Sequence, residues 1–537
     1  MPDTWMTILR WHGMTITAPD SLANTPLWVY RRVEHVFDLA FGSALNPWRQ
    51  LGSIGLLCLA LVVATGLYLF VVLDTSVTES YRSIDQLSHQ QWYLGGLLRS
   101  IHRYAADGFI AASLLHLVRE FLLGRFGGFR RFSWLTGIPL LWFAYASGIG
   151  GFWLNWDRLG QFSAIATAEW LDWLAIFATP LARNFLGAAA LSDRLFSLLV
   201  FIHVGLPLLL VFGLWFHLQR VNHAAVFPSR RLAIGTGGTL LALALAAPVH
   251  SQGAADLASL PGPLGFDWFY LFPHPLMYAS SPAMLWALAT SVTLTLLLLP
   301  FLPFSGRAAA IATVDPAHCN GCRRCFDDCP YAAIAMQAHP DGKPGQQLAV
   351  VLAERCASCG ICAGSCPSAT PFRQVSALRT GIDMPQLPLD TLRRTLEAKL
   401  ANLRGEQKIV VFGCARGARL ESLTGKEVAC LQLLCIGMLP PAFVEYALRA
   451  GAAGVMVTGC RENGCAFRLG STWAEQRLLG AREPNLRSSV AGDQFHVVWA
   501  DRGEEAGLLR ALAAFRQRLA ARPIPAAGSF IAADAVQ

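Results

Sequence analysis

The stretch LLRSIHRYAADGFIAASLLHLVREFLL, residues 97–123, decides the fold of this chain. It is long and apolar enough to cross a membrane as a helix, and it places His102 and His116 fourteen residues apart. Fourteen helical steps bring the second histidine to within about 40° of the first, and about 21 Å further along the axis. Both rings therefore point the same way, one near each face of a membrane.

A second apolar run, residues 195–218, repeats this spacing with His203 and His217. Two such helices facing each other supply two axial pairs of ligands, which is what two stacked haems need. The alternative is packing histidines inside a bundle, and the cost of ionisable side chains in membrane helices disfavours it. Two further helices carry glycine at the same interval, which lets a flat macrocycle approach the backbone: Gly52 and Gly66, then Gly137 and Gly151.

These intervals resemble those of the cytochrome b of quinol-oxidising bc and b6f complexes, over roughly residues 30 to 305. The resemblance implies two haems b, with His102 paired with His203 and His116 with His217. Each histidine of the 97–123 helix has an arginine three residues away, Arg99 and Arg119, similar to the family's haem-propionate arginines. Residues 150–167 resemble the segment that lines the family's quinol-oxidation site, with Asn155 where the family usually has proline.

Arginines in alternate loops predict the orientation of the membrane part. They precede the first span and follow the second and fourth, so the positive-inside rule places both termini in the cytoplasm. His102 and His203 then lie toward the outer face, and His116 and His217 toward the cytoplasm. A helix along the membrane surface is predicted at 21–48. The six predicted spans are 51–73, 97–123, 133–155, 195–218, 231–249 and 281–303.

The outer loop before the sixth span reads GPLGFDWFYLFPHPLMY, residues 262–278. Its Asp267-Trp268-Phe269 resembles the family's Pro-Glu-Trp-Tyr motif, with Asp267 at the position of the glutamate that accepts a quinol proton. A carboxylate near the outer haem is suited to general-base work, and His274 is predicted to assist it. The alternative is an aromatic belt at the membrane interface with a solvated aspartate.

Composition divides the chain into a membrane part and a soluble part. Of its 537 residues, 54% are hydrophobic and only 15% charged, which fits such a division. Much of the net charge of +8 is arginine flanking the membrane helices, and there is no basic run interleaved with aromatics, so a nucleic-acid partner is not expected. Thirteen of the fourteen cysteines lie beyond residue 318, in metal-like spacings.

CNGCRRCFDDCP at 319–330 and CASCGICAGSCP at 356–367 are two copies of CxxCxxCxxxCP. In such a pair, three thiolates of one copy and the fourth of the other hold one 4Fe-4S cluster, as in bacterial-type ferredoxins. Zinc rarely uses this doubled, proline-terminated run. The predicted ligands are Cys319, Cys322, Cys325 and Cys366 for the first cluster, and Cys356, Cys359, Cys362 and Cys329 for the second.

Beyond residue 407, short apolar runs alternate with helix-length segments, which predicts a parallel sheet with covering helices. Cys414, Cys435 and Cys460 each end a predicted strand, so they converge at one sheet edge, and Cys465 completes the set. A 2Fe-2S cluster and zinc are both chemically suitable, and iron–sulfur is preferred. This region resembles the delta subunit of methyl-viologen-reducing hydrogenase, a 2Fe-2S protein that links a dehydrogenase or hydrogenase to a flavin subunit. Cys430 is predicted to be structural.

The predicted fold is multidomain: an all-α membrane bundle of six transmembrane helices, an α+β dicluster ferredoxin, and an α/β parallel-sheet domain. The segments are a cytoplasmic surface amphipathic segment at 1–50, a dihaem cytochrome b-like domain at 51–306, a 2×4Fe-4S ferredoxin at 307–377, a linker helix at 378–407 and a 2Fe-2S hydrogenase-delta-like domain at 408–537.

The predicted function is electron transfer in a quinone oxidoreductase complex. Electrons would pass between a cytoplasmic flavoprotein or dehydrogenase, NAD(P)H-linked in one version, and quinone or quinol. The alternative is a non-catalytic membrane anchor and relay, with quinone chemistry in another subunit. The predicted location is the bacterial inner membrane, multi-pass, with the iron–sulfur domains in the cytoplasm, and a homodimer through the cytochrome b-like domain is a candidate arrangement.

Overall fold

The computed structural model describes residues 25–185, 191–258, 262–302, 310–342, 344–372, 377–461, 464–488, 490 and 492–521. These residues form two compact units, one before and one after the gap at 303–309. The gap contains the predicted boundary between the membrane and soluble parts. The first unit is helical, and the second combines short strands, helices and a parallel sheet.

The described part of the first unit contains eleven α-helices, numbered here in chain order. A π-helical turn, Trp92–Gly96, leads into the fourth of them. The helices are α1 Thr25–Phe41, α2 Leu51–Val72, α3 Ser80–His89, α4 Leu97–Leu122, α5 Arg131–Asn155, α6 Arg158–Asp172, α7 Asp193–Leu218, α8 Arg230–Ala246, α9 Trp268–Leu271, α10 Pro273–Ala279 and α11 Pro282–Leu298.

Within the described residues, four helices are long and apolar enough to cross a membrane: α2, α5 with the turn before it, α7, and α11 with the turn after it. Helix α4 has 26 residues but carries several charged side chains, and α8 has only 17 residues. The multi-pass character is therefore supported directly, whereas the six-span arrangement stays a prediction. Serine caps begin two of the spans, because Ser192 accepts a hydrogen bond from Leu195 N, and Ser281 from Met284 N.

The spans pack in two main pairs, α2 against α4 and α5 against α7. Their shared core includes Cys58, Ala105, Ile110 and Leu210, all almost fully buried. Large apolar side chains on the other faces are exposed, for example Phe201 on α7, as expected where lipid replaces water. The pairing of α4 with α2 and of α7 with α5 brings each histidine helix against a glycine helix.

Helix α1 corresponds to the predicted surface helix. Its end is tied to the start of α2 by Asp38, which forms an ion pair with Arg49 at 2.7 Å and accepts a hydrogen bond from Asn46 Nδ2 at 2.8 Å. Val36 and Leu39 remain exposed on it. An apolar face on a tethered helix is typical of a segment that lies in the membrane interface.

The second unit begins with two small antiparallel sheets. Strand β1, Thr313–Val314, pairs with β4, Ile382–Asp383, and β2, Ile334–Ala338, pairs with β3, Gln347–Val351. Two one-turn helices, α12 Arg324–Asp327 and α13 Ile361–Gly364, lie inside the two cysteine motifs.

The remaining strands form one parallel sheet of order β6-β5-β7-β8. This confirms the parallel sheet predicted for the C-terminal part. Every residue of β5 and β7 is buried, which is why their sequences are continuously apolar. The elements are α14 Leu389–Asn402, β5 Ile409–Cys414, β6 Val428–Leu433, α15 Ala442–Arg449, β7 Gly454–Gly459, α16 Gly470–Leu478, β8 Phe495–Trp499 and α17 Glu505–Ala520.

Helix α14 lies in the segment predicted to be a linker. Its leucines at 392, 396 and 400 are buried, and Lys399 Nζ donates to the carbonyl of Cys430 on β6 at 2.7 Å. A hydrophobic stripe at helical spacing against a strand makes α14 a covering helix of the sheet instead of a free connector.

Candidate electron-transfer centres

His102 on α4 faces His203 on α7, with the ring centroids 6.4 Å apart. Two metal–nitrogen bonds of about 2 Å each, plus the inner halves of two five-membered rings, add up to this separation. One iron atom therefore fits between the two imidazoles. His116 and His217 are close enough to interact electrostatically, so the structure brings together both predicted pairs.

The Nδ1 atoms of three of these histidines meet oxygen atoms of the neighbouring glycine helix. An Nδ1–H that donates to such an oxygen leaves Nε2 free to bind a metal and fixes the direction of the ring. The acceptors are Val62 O at 3.0 Å and Thr65 Oγ1 at 3.1 Å for His102, Ser147 O at 2.9 Å for His203, and Thr136 Oγ1 at 2.9 Å for His217.

Each of the four interval glycines lies against the ring of a different histidine. At three of these positions a β-carbon would lie closer to the histidine Cε1 than an ordinary contact allows, whereas at Gly52 it would make an ordinary contact. These distances are 3.0 Å for Gly66 with His102, 3.2 Å for Gly151 with His203, 3.3 Å for Gly137 with His217, and 3.7 Å for Gly52 with His116. The glycines therefore contact the imidazole rings directly. The sequence had predicted only that they let a macrocycle approach the backbone.

Arg99, three residues before His102, is buried, and in the part of the chain that the structure describes its guanidinium donates hydrogen bonds only to uncharged oxygens. Its guanidinium donates to Ser88 Oγ at 2.7 Å, Asn155 Oδ1 at 3.1 Å and Ser251 Oγ at 2.9 Å. Asp157 and Asp85 act on Arg99 electrostatically, but neither carboxylate bonds to its guanidinium. A buried cation is costly unless it is paired and hydrogen-bonded, so a haem propionate suits this position.

Arg119, near His116, is also buried, and forms ion pairs with Glu120 at 3.1 Å and Glu34 at 3.5 Å. Its Nε has no hydrogen-bond partner among the described residues. A buried N–H of this kind is a donor that a propionate oxygen would satisfy. Both predicted propionate arginines thus fit the group assigned to them.

Asp267, in the loop at 262–278, caps the short helix α9. Its Oδ1 accepts from Phe269 N and Tyr270 N, both at 3.0 Å, and its Oδ2 pairs with Arg103. Arg103 pairs through its other nitrogen with Asp107, and its guanidinium lies over the Tyr270 ring. Two carboxylates thus share one arginine.

His274, the second predicted proton-transfer residue, is fully buried on α10. Its Nε2 lies 3.0 Å from Thr167 Oγ1 on α6, and its Nδ1 has no hydrogen-bond partner among the described residues. Burial lowers the pKa of His274 to about 4, so the ring is neutral at pH 7. Asp267 and His274 therefore have separate sets of partners.

Two small cavities lie in the two cysteine motifs. Each is lined by three cysteines of one motif and one of the other, because the motifs fold against each other around α12 and α13. The first cavity is lined by Cys319, Cys322, Cys325 and Cys366, and the second by Cys329, Cys356, Cys359 and Cys362. These are the two predicted 4Fe-4S ligand sets.

The four predicted C-terminal ligands form a closed ring of thiols at the edge of the parallel sheet. Cys414 and Cys465 each lie close enough to both Cys435 and Cys460 for their thiols to interact. Cys430 lies apart, in the apolar core that the sheet forms with α17. The ring can hold a metal centre once all four thiols are deprotonated.

Several residues at these centres carry no local sequence signal. Thr65 and Thr136 look like ordinary residues of apolar helices, and Asp328 and Arg477 look like surface charges, yet each contacts a centre or its neighbour. Once the structure is known, a pattern for Thr65 and Thr136 can be seen in the sequence, because each stands one residue before an interval glycine.

Three regions of the chain match known families, in the predicted order. Residues 36–225 match the family model "Cytochrome b/b6/petB", residues 318–370 match "4Fe-4S dicluster domain", and residues 405–521 match "Methyl-viologen-reducing hydrogenase, delta subunit". The resemblances are therefore confirmed over these ranges. A cytochrome b region and a 4Fe-4S region on one chain indicate a membrane electron-transfer subunit of an oxidoreductase complex.

A solved structure titled "Hyperthermophilic respiratory Complex III" is similar at 18% sequence identity, with a TM-score of 0.38. The alignment covers 51% of this chain and 82% of that chain.

The close contacts between glycines and histidine rings predict the effect of adding one methyl group to a glycine. In Gly66→Ala, the β-carbon would press on His102 Cε1, so we expect less haem at the His102–His203 position, measured by pyridine haemochrome assay and by reduced-minus-oxidised spectra. Gly205→Ala on α7 is the control, because a β-carbon there meets no atom within 4 Å. Equal haem content in the two variants would contradict the proposed role of Gly66 in leaving space for the His102 ring.

A parallel test applies to the thiol ring. A β-carbon at Gly470 would overlap the sulfur of Cys435 and lie 3.4 Å from that of Cys465. We expect Gly470→Ala to lower the metal content of the C-terminal centre by about 10-fold or more, as for other disrupted metal sites. Gly425→Ala in the same domain, where a β-carbon is unobstructed, should keep the wild-type content.

Proposed function

We propose that this chain carries electrons between a cytoplasmic flavoprotein or dehydrogenase and membrane quinone. The route runs through a 2Fe-2S cluster in the thiol ring, two 4Fe-4S clusters and two haems b. The observation that carries the proposal is the presence on one chain of an imidazole pair at iron-spanning distance and two cavities lined by four cysteines each.

The haem and cluster ligands have distinct tasks when the groups are bound. The imidazoles would bind iron through Nε2, while carbonyl and threonine oxygens hold Nδ1 and set the direction of the rings. Arg99 and Arg119 would neutralise the haem propionates. The bound groups supply reversible one-electron chemistry, and the apolar helices exclude water from the path.

Iron and sulfide in the thiol ring are preferred to zinc. Zinc has no redox chemistry, and a redox-inactive ion next to a ferredoxin-like pair of cavities would serve no electron path. The match of residues 405–521 to a hydrogenase delta subunit supports the same choice. It also supports a soluble flavoprotein or dehydrogenase as partner, with NAD(P)H as one source of electrons.

The quinone site is proposed at the outer face, beside Asp267 and the 150–167 segment. Arg103 carries one positive charge and Asp107 and Asp267 carry two negative charges, so the group keeps a net charge of −1. One carboxylate can therefore take a quinol proton while the other keeps its ion pair with Arg103. Asp267 is proposed as the proton acceptor, with the neutral His274 as a second proton-transfer group.

A second candidate function is a membrane anchor and relay without quinone chemistry. The observation in its favour is that both oxygens of Asp267 are already engaged, by two backbone amides and by Arg103. In this version the loop at 262–278 is structural, and quinone reacts on another subunit.

The first test follows electrons through the haems. In His116→Leu we expect loss of the inner haem, and the outer haem should then no longer be reduced rapidly by the soluble part, because the intermediate centre is missing. His102→Leu is the matched control, since it should remove the outer haem and leave the inner one reducible. Stopped-flow spectroscopy of the purified complex measures both. Rapid filling of the outer haem in His116→Leu would refute the proposed route.

The second test uses the membrane potential. If the iron–sulfur domains are cytoplasmic and quinone reacts at the outer face, each electron crosses most of the membrane, which is worth about 2.3 kcal/mol per 100 mV. Outward electron movement is downhill when the cytoplasm is negative. In sealed vesicles of known orientation, an uncoupler should therefore slow electron flow from the cytoplasmic donor to quinone. Indifference to the uncoupler would move the working site to the inner haem.

The same vesicles test the proton acceptor. Asp267→Asn should keep the helix cap and both haems but impair quinone turnover, because the amide can neither accept a proton from quinol nor return one to quinone. Asp107→Asn also loses a partner of Arg103 and is the control, with a smaller expected effect. Full turnover in Asp267→Asn would favour the anchor.

A further inference from the structure

The two four-cysteine cavities differ in their contacts with the thiol ring. The first presents an exposed ligand, Cys322, whereas Cys359 and Cys362 of the second are buried. Cys359 also lies close enough to Cys465 of the ring for an electrostatic interaction. The order of centres along the soluble part can thus be read from packing, on the premise of the proposed function that all three bind iron–sulfur clusters.

The contact with the ring is made by the loop between Cys359 and Cys362. A β-carbon at Gly360 would lie 2.8 Å from the Met438 sulfur, and the side chain of Ile361 packs against Gly437 and Gly470, the residue that also touches the ring sulfurs. Backbones approach this closely only where glycine removes the side chain. The second cavity and the ring are therefore separated by little more than one layer of residues.

Arg477 lies in the same contact and is completely buried. It forms an ion pair with Asp328, the residue before Cys329 of the second cavity, and donates to Gly437 O at 2.8 Å. It also interacts electrostatically with Cys435 of the ring. Arg477 therefore interacts with a residue next to the second cavity and with a cysteine of the thiol ring.

Charge counting shows what this cation does. Asp328 receives a second arginine, Arg482, whose Nε donates to Oδ1 at 2.9 Å, so two positive charges face one negative charge. The excess positive charge lies in a dry contact, where it acts strongly on nearby anions. Nearby net charge is one of the factors that set iron–sulfur reduction potentials, and positive charge favours the reduced form.

We propose that electrons pass between the thiol ring and the second four-cysteine group directly, and that Arg477 is the positioning residue of this step. The step transfers one electron: one centre is oxidised by one electron, the other is reduced by one, and no covalent bond changes. Arg477 keeps Gly360 and Ile361 against Gly437 and Gly470, and its charge stabilises the electron in the contact. The first group, with its exposed Cys322, then lies further along the path.

The test uses the full-length protein with its clusters, reduced by dithionite. Magnetic coupling in the EPR spectrum reports which centres are neighbours. Cys356→Ser, which alters the second group, should change the coupling to the C-terminal centre. Cys322→Ser, which alters the first group, should leave that coupling intact. The opposite pattern would overturn the proposed order.

Arg477→Met tests the positioning role. With iron and sulfide content unchanged, we expect weaker coupling, a lower midpoint potential of the C-terminal centre, and electron transfer to the second group slowed about 10-fold or more. Arg477→Lys keeps the charge and should largely restore the potential. Arg516→Met, which removes a half-exposed arginine paired with Glu427 in the same domain, is the control and should change none of these.

The outcomes separate this inference from the proposed function. Zinc in the ring of the wild-type protein would overturn both. Iron in all three centres without coupling between the ring and the second group would overturn only the order. Coupling and potential unchanged in Arg477→Met would refute the role of Arg477 while leaving the electron path.

Discussion

The membrane unit depends on the close approach of histidine rings on two helices to glycines on their neighbours. Space for a ring exists because Gly66, Gly151 and Gly137 leave out a β-carbon that would lie 3.0 to 3.3 Å from the imidazole. Once a ring is in this position, the carbonyl or threonine oxygen beside it holds Nδ1 and leaves Nε2 free. Helix pairing, ring direction and the 6.4 Å separation of the His102 and His203 ring centroids are therefore parts of one constraint.

The second unit faces the opposite difficulty, because thiol ligands of a metal must be anions in a dry interior. Burial raises the pKa of the Cys325 thiol to about 12, so binding of a metal there has to release the thiol proton. Buried thiolates and clusters need compensating positive charge. Arg477 and Arg482 supply part of it, and the same two side chains join the ferredoxin-like part to the sheet through Asp328.

In the loop at 262–278, one residue combines a structural role with a proposed chemical one. Asp267 begins α9 as its cap and also shares Arg103 with Asp107. The cap holds the aromatic loop in place whatever the protonation of the second oxygen. Because two carboxylates share one arginine, one negative charge is left uncompensated, which would not be so in a single ion pair. The anchor and the quinone-reacting hypotheses differ in whether that carboxylate takes part in proton transfer.

The sequence alone determined the features that depend on regular intervals or short motifs. These are the fourteen-residue intervals, the doubled cysteine motif with its exchanged fourth ligand, and the cysteines at strand ends. These follow from helix rise, strand direction and cluster chemistry, which depend on residues near one another in the chain. Only the tertiary structure decided that Asn155 and Ser251 receive Arg99, that Arg103 holds Asp267, and that Arg477 reaches Asp328. Such partners lie 56 to 164 residues apart. No local spacing encodes them, because the packing of distant helices and loops alone brings their charges within reach.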